Sequence, residues 1–158
     1  MLRTAFVIGL AALPFLVAAA APAAPVPCPN EIQHEPLVLY DVNGSTLGGP
    51  IDISLTVYND GQARLSSIGQ FGNPSKSQLA FPGPAAATQL LLDLSALGAG
   101  TLCDKLFFVS DVPTTTLTVF RNATTARNHT FSWLVGVDAY GQIDQRIQTF
   151  IQTYFPSF

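Results

Sequence analysis

Between Ile51 and Tyr58 the chain alternates without a break: Ile51, Ile53, Leu55 and Val57 are apolar, with Asp52, Ser54, Thr56 and Tyr58 between them. A period of two sends one set to each side of a pleated strand, so the segment predicts a strand with one buried face. Asn59-Asp60-Gly61 interrupts the pattern, and Ala63 and Leu65 resume it against Arg64 and Ser66. An Asp-Gly pair between two alternating runs is a strong hairpin signal and predicts positive φ at both central turn positions. Strands of this kind build an antiparallel sheet whose apolar face needs a cover.

The cover is readable further along. Pro84 stands where a first helical turn tolerates a missing N–H, Leu90, Leu94 and Leu97 share one helical face, and Gly98 and Gly100 end the run. A second helix carries Ile143, Ile147, Phe150, Ile151, Tyr154 and Phe155 as a wide apolar stripe, with Asp138 as its expected N-cap and Pro156 as its stop. A second hairpin spans Thr114–Val135: Leu117 and Val119 alternate with Thr116 and Thr118, and Phe131, Trp133 and Val135 with Thr130, Ser132 and Leu134. Leu37–Tyr40 is a short strand, Asn43–Pro50 reads as a loop, 69–83 as irregular, and Leu106–Val109 as a short buried strand or turn. The expected fold is α+β: an antiparallel sheet of about four to five strands with two helices on one face, in the order β-ββα-ββα.

The N-terminus has a different character. Met1-Leu2-Arg3 supplies a positive charge, 16 of the first 20 residues are hydrophobic, and small residues crowd Ala18–Ala24. That order predicts a signal peptide over 1–20, cut after Ala20 and too short and proline-broken for a membrane anchor. Residues 21–36, with five prolines, follow as an extended leader before a single α+β domain at 37–158. No later apolar run approaches a membrane span. Export places Cys28 and Cys103 in an oxidising compartment, where an even pair predicts a disulfide. Closing a loop of 75 residues would contribute at most about 4–4.5 kcal/mol in the chain-entropy picture.

Seven Lys and Arg against ten Asp and Glu leave net charge −3 and no basic field for phosphates, which argues against nucleic-acid binding. Phosphate-binding loops, dinucleotide fingerprints, calcium loops and a nucleophile elbow are all missing, so no cofactor or metal is expected. The two histidines are His34, in the leader, and His129, at a hairpin entrance. His34-Glu35 begins like a zinc-protease motif, but Pro36 follows and the second histidine is absent. Asp104 and Asp111 flank an apolar run, and Asp138 and Asp144 stand six apart, too far for one helical turn. Asn43, Asn122 and Asn128 each open an N-glycosylation sequon in an expected loop or strand end, usable if the host is a eukaryote.

The segments ISLTVYNDGQARL (51–65) and SDVPTTTLTVF (110–120) resemble a family of secreted bacterial domains of unknown function. Those domains share a strand ending in Asp-Gly, a central helix, an Asp-x-Pro-Thr-Thr strand and a closing helix. The resemblance spans residues 51–155, rests on Asp60-Gly61 and on Asp111 with Pro113-Thr114-Thr115, and implies the fold order while transferring no catalytic residue.

With no catalytic constellation in view, the chain reads as an exported, non-enzymatic binding or accessory module. Its contact candidates for a protein or carbohydrate are the Thr-rich strand face (Thr114-Thr115-Thr116 and Thr118) and the stretch 69–83. The alternatives are a small hydrolase using His129 with Asp111 or Asp138, and a protease-inhibitor-like module.

Overall fold

The computed structural model describes residues 35–46, 49–68, 74–106, 112–120 and 128–158. The expected signal peptide, Cys28, His34, Asp111 and Asn122 therefore lie outside the described residues. The architecture is α+β, with β1 (Pro36–Thr46), β2 (Gly49–Tyr58), β3 (Ala63–Ser67), β4 (Lys76–Ala80), α1 (Pro84–Ala96), β5 (Thr114–Val119), β6 (His129–Trp133) and α2 (Asp138–Tyr154). All six strands form one antiparallel sheet in the order β4-β3-β2-β1-β5-β6.

Strand register turns the alternation into two unlike faces. One core row runs Gln78–Leu65–Leu55–Tyr40–Leu117–Phe131 across all six strands, and its neighbour runs Lys76–Ser67–Ile53–Val42–Thr115–Trp133. Leu55, Leu65, Leu117, Phe131 and Trp133 are buried, and they join Leu90 and Leu94 of α1 and Ile143, Ile147 and Phe150 of α2 in one core. Both helices thus lie on the face that β2 presents through Leu55 and Val57. Among the described residues, the other face carries no helix.

Several expectations shift in detail. The stretch 69–83 contains β4, a strand without apolar alternation, whose Ser77 and Leu79 pair with Ser66 and Arg64. Hydrogen bonding to β3 decides it, which side-chain pattern could not reveal. Asn43–Pro50 is not a loop either: β1 runs to Thr46 and β2 starts at Gly49, so the glycine-rich stretch is the far end of a long hairpin and Asn43 is an exposed strand residue facing Asp52. Of the expected short element at 106–109, Leu106 is 55% exposed rather than buried, and the rest lies outside the described residues.

The Asp60-Gly61 hairpin forms with a different turn. Gly61 N–H bonds Tyr58 O at 3.1 Å and Tyr58 N–H bonds Gln62 O at 2.9 Å, and only Gly61 has positive φ, +84°. This is a three-residue loop with one left-handed glycine, not a two-residue turn with two. Helix α1 ends as the glycines predict: Gly98 (φ +88°) follows the C-cap and Ala99 N–H reaches back to Leu94 O at 3.0 Å.

Helix α2 starts one residue from expectation. Val137 occupies the N-cap position without a side-chain cap, and Asp138 is the first helical residue. Asp138 adopts φ +53°, a left-handed conformation that costs an ordinary side chain about 1–2 kcal/mol. Its side chain is 86% exposed and pairs with Lys105 at 3.8 Å, an arrangement worth little in water. At most helical sites alanine is more stable than glycine by about 1 kcal/mol. Here the order is expected to invert, with Asp138→Gly more stable than Asp138→Ala by about 1 kcal/mol in urea titrations.

Candidate functional site

The helix-free face is organised by register as regularly as the core. Ser77, Ser66, Ser54, Asp41, Thr116 and Ser132 face one another in a row across the whole sheet. The adjacent row is Leu79, Arg64, Thr56, Leu39, Thr118 and Thr130. Neighbouring hydroxyls tie the strands together, Thr116 with Ser132 and Thr118 with Thr130 at 2.9 Å each, and Arg64 Nε donates to Ser77 Oγ at 3.2 Å. Thr side chains on strands have few rotamers, so on strands about 4.8 Å apart their hydroxyls lean together in fixed pairs. Asp41 and Arg64 are the charged members of these two rows. The face is thus a broad, lightly charged array of donors and acceptors.

The sheet's two edges differ. Strand β4 is short and carries Lys76, both of which blunt an edge against unwanted pairing. The β6 edge is covered by residues 102–105. Lys105 N–H donates to Ser132 O and Ser132 N–H to Asp104 Oδ1, each at 2.8 Å, while His129 Nε2 donates to Leu102 O at 2.6 Å. Tyr140 closes the strip by donating to Cys103 O at 2.7 Å, with Lys105 Nζ 5.2 Å from its ring centre. The Cys103 side chain is exposed to solvent, and its expected partner Cys28 lies outside the described residues. Nothing in the sequence around Cys103 signals this strip, because backbone groups and one carboxylate do the pairing.

These contacts fix the expected site residues. His129 spends Nε2 on the Leu102 carbonyl and lies against the Phe131 ring, 5.6 Å between centres, whereas Asp138 turns to Lys105. The structure therefore does not join His129 and Asp138 in an acid–base pair. Asn128 is exposed just ahead of β6 and Asn43 is exposed within β1. Among the described residues no three His, Cys, Asp or Glu side chains gather into a metal-holding group.

Sequence reasoning missed one cluster. Asp144, on α2, points to the sheet and accepts hydrogen bonds from Tyr40 Oη to Oδ1 and from Trp133 Nε1 to Oδ2, both at 3.1 Å. Tyr40 is 3% and Trp133 0% exposed, so these donors have no recourse to water. Burial pushes the Asp144 carboxyl above the usual carboxylate range, partly offset by the bonds from Trp133 and Tyr40. Burial, then the charge of Asp144, raises the Tyr40 hydroxyl and keeps it protonated. Gly136 lies against this carboxylate so closely that a Cβ there would collide with Oδ2. On the outer side of the helices, Arg146 grips Asp93 through Nε and Nη2, both at 2.6 Å. Hydrogen bonds from Gln89 and then Arg146 hold the Asp93 carboxyl below its usual range.

Compared with known proteins, the chain matches no family model and no curated sequence. Among the described residues, no helix is long and apolar enough to cross a membrane.

Proposed function

We propose that the chain is a small exported, non-enzymatic binding or accessory module that meets a protein or carbohydrate partner with its helix-free sheet face. The observation that carries this reading is the row Ser77–Ser66–Ser54–Asp41–Thr116–Ser132, which sets one polar side chain per strand across six strands. A sheet face that no described element covers, low in charge and rich in ordered hydroxyls, suits a flat polar partner bound through many short hydrogen bonds. It does not suit a phosphate backbone, which needs a positive field. The export-signal pattern of residues 1–20 and the resemblance of 51–65 and 110–120 to secreted domains support the same reading.

The test is capture. Tagged mature chain, incubated with culture supernatant or periplasmic extract and separately with insoluble polysaccharides, is expected to retain a partner under mild washing. Recovery of nothing from either source would count against a binding role. Export also predicts a covalent feature. Protein recovered from the oxidising compartment should gain two hydrogens in mass on reduction as Cys28 and Cys103 are released, and labelling of two free thiols in the native protein would refute the bond.

A further inference from the structure

We propose that Asp144, Tyr40 and Trp133 form a two-state hydrogen-bond latch between α2 and the sheet, in which proton uptake by Asp144 turns Tyr40 from donor to acceptor. In the ionised state both donors point at the carboxylate, Tyr40 Oη to Oδ1 and Trp133 Nε1 to Oδ2. A proton from solvent placed on Oδ1 reverses the first bond: Oδ1–H donates to Tyr40 Oη. The Tyr40 hydrogen then needs a new acceptor; Gln148 and Thr115, whose side chains act as donors toward the Tyr40 oxygen in the ionised state, each carry an oxygen that can take that role on turning. Trp133 keeps its bond to Oδ2, now a neutral carbonyl oxygen. The proposed exchange thus leaves each donor with a partner in either state, as a latch requires.

The groups facing Asp144 make the switch a clean one. Tyr40 of β1, Trp133 of β6 and Gly136 of the preceding loop lie against the carboxylate, while Thr115 of β5 and Gln148 of α2 act on Tyr40. Two of the described cations are engaged elsewhere, Lys105 with Asp138 and Arg146 with Asp93. Burial favours the neutral carboxyl, and among the described residues no cation opposes it. The folded protein binds the proton more tightly than the unfolded chain, whose carboxyl titrates near 3.9. Stability from this group is therefore fully present below the unfolded value and falls as pH rises through the raised folded one. Acid tightens α2 onto the sheet and neutral pH loosens it.

Trp133 is the chain's single tryptophan, so its emission reads the latch without a label. In a titration from about pH 3 to about pH 8, the intact protein is expected to show a reversible emission change centred above the ordinary carboxylate range, with far-ultraviolet circular dichroism unchanged. Asp144→Asn should abolish the change. Tyr40→Phe, which removes a bond favouring the ionised carboxyl, should move it to higher pH. A flat wild-type titration, the same transition in Asp144→Asn, or an unmoved midpoint in Tyr40→Phe would each overturn the latch.

Discussion

Asp144→Ala is expected to destabilise the fold by about 2–4 kcal/mol, since an unpaired buried donor costs about 1–3 kcal/mol and two are created. Tyr40 Oη and Trp133 Nε1 both end on this carboxylate, and both side chains are sealed from water. Relief of the buried charge offsets part of the loss at neutral pH. Asp144→Asn should cost about 1 kcal/mol or less, because its oxygen can serve Trp133 while its amide donates to the Tyr40 oxygen. Urea titrations at neutral pH check both values, and an alanine variant as stable as the asparagine variant would show that the two donors find other partners. Repeating the wild-type titration at mildly acid pH should raise its midpoint through Asp144, against an opposite contribution from Asp93, whose lowered carboxyl loses stabilisation on acidification.

Gly61→Ala is expected to be at least as damaging. Gly61 closes the β2–β3 hairpin at φ +84° and lies backbone to backbone against the start of α1, where a Cβ would collide with Gly83 and Pro84. Gly83 N–H also donates to Gly61 O at 3.1 Å. The substitution combines a left-handed penalty of about 1–2 kcal/mol with displacement of the hairpin from the helix, for a total of about 3 kcal/mol or more. Gly83→Ala provides the contrast: its φ is +90° but a Cβ there meets open space, so only the conformational penalty of about 1 kcal/mol applies. Chemical denaturation of the pair separates strain from collision. Equal losses in the two variants would mean that the turn and the helix start do not pack as described.

The strands whose alternation met a buried face were legible in the sequence. Leu55 and Val57, Leu117 and Phe131 had only one sensible place to go, and both helices announced themselves through leucine and isoleucine spacing with glycine or proline at their ends. Strand β4 was not legible, because Lys76-Ser77-Gln78-Leu79-Ala80 has no apolar period and owes its conformation to hydrogen bonds with β3. The far end of the β1–β2 hairpin was hidden by glycines that normally mark loops. The Asp144 cluster was hidden for another reason: it gathers residues more than 100 positions apart in sequence, and no local spacing encodes that meeting. The helix-free face was half legible. Thr114-Thr115-Thr116 and Thr118 showed one polar strand, but Thr115 is buried opposite Trp133 on the core side, and the row across six strands exists only once register is known.

Comparing binding by the wild-type chain and by Ser54→Arg with Thr116→Arg tests the proposed role of that face most directly. These two positions flank Asp41 at the centre of the hydroxyl row, and long cationic side chains there would break its flatness without touching the core. Gln145→Arg, on the exposed side of α2, serves as the matched control. The partner or polysaccharide retained by the wild type is expected to be lost from the double variant and kept by the control, with melting curves unchanged. Equal retention by all three proteins, or loss only in the helix variant, would contradict it.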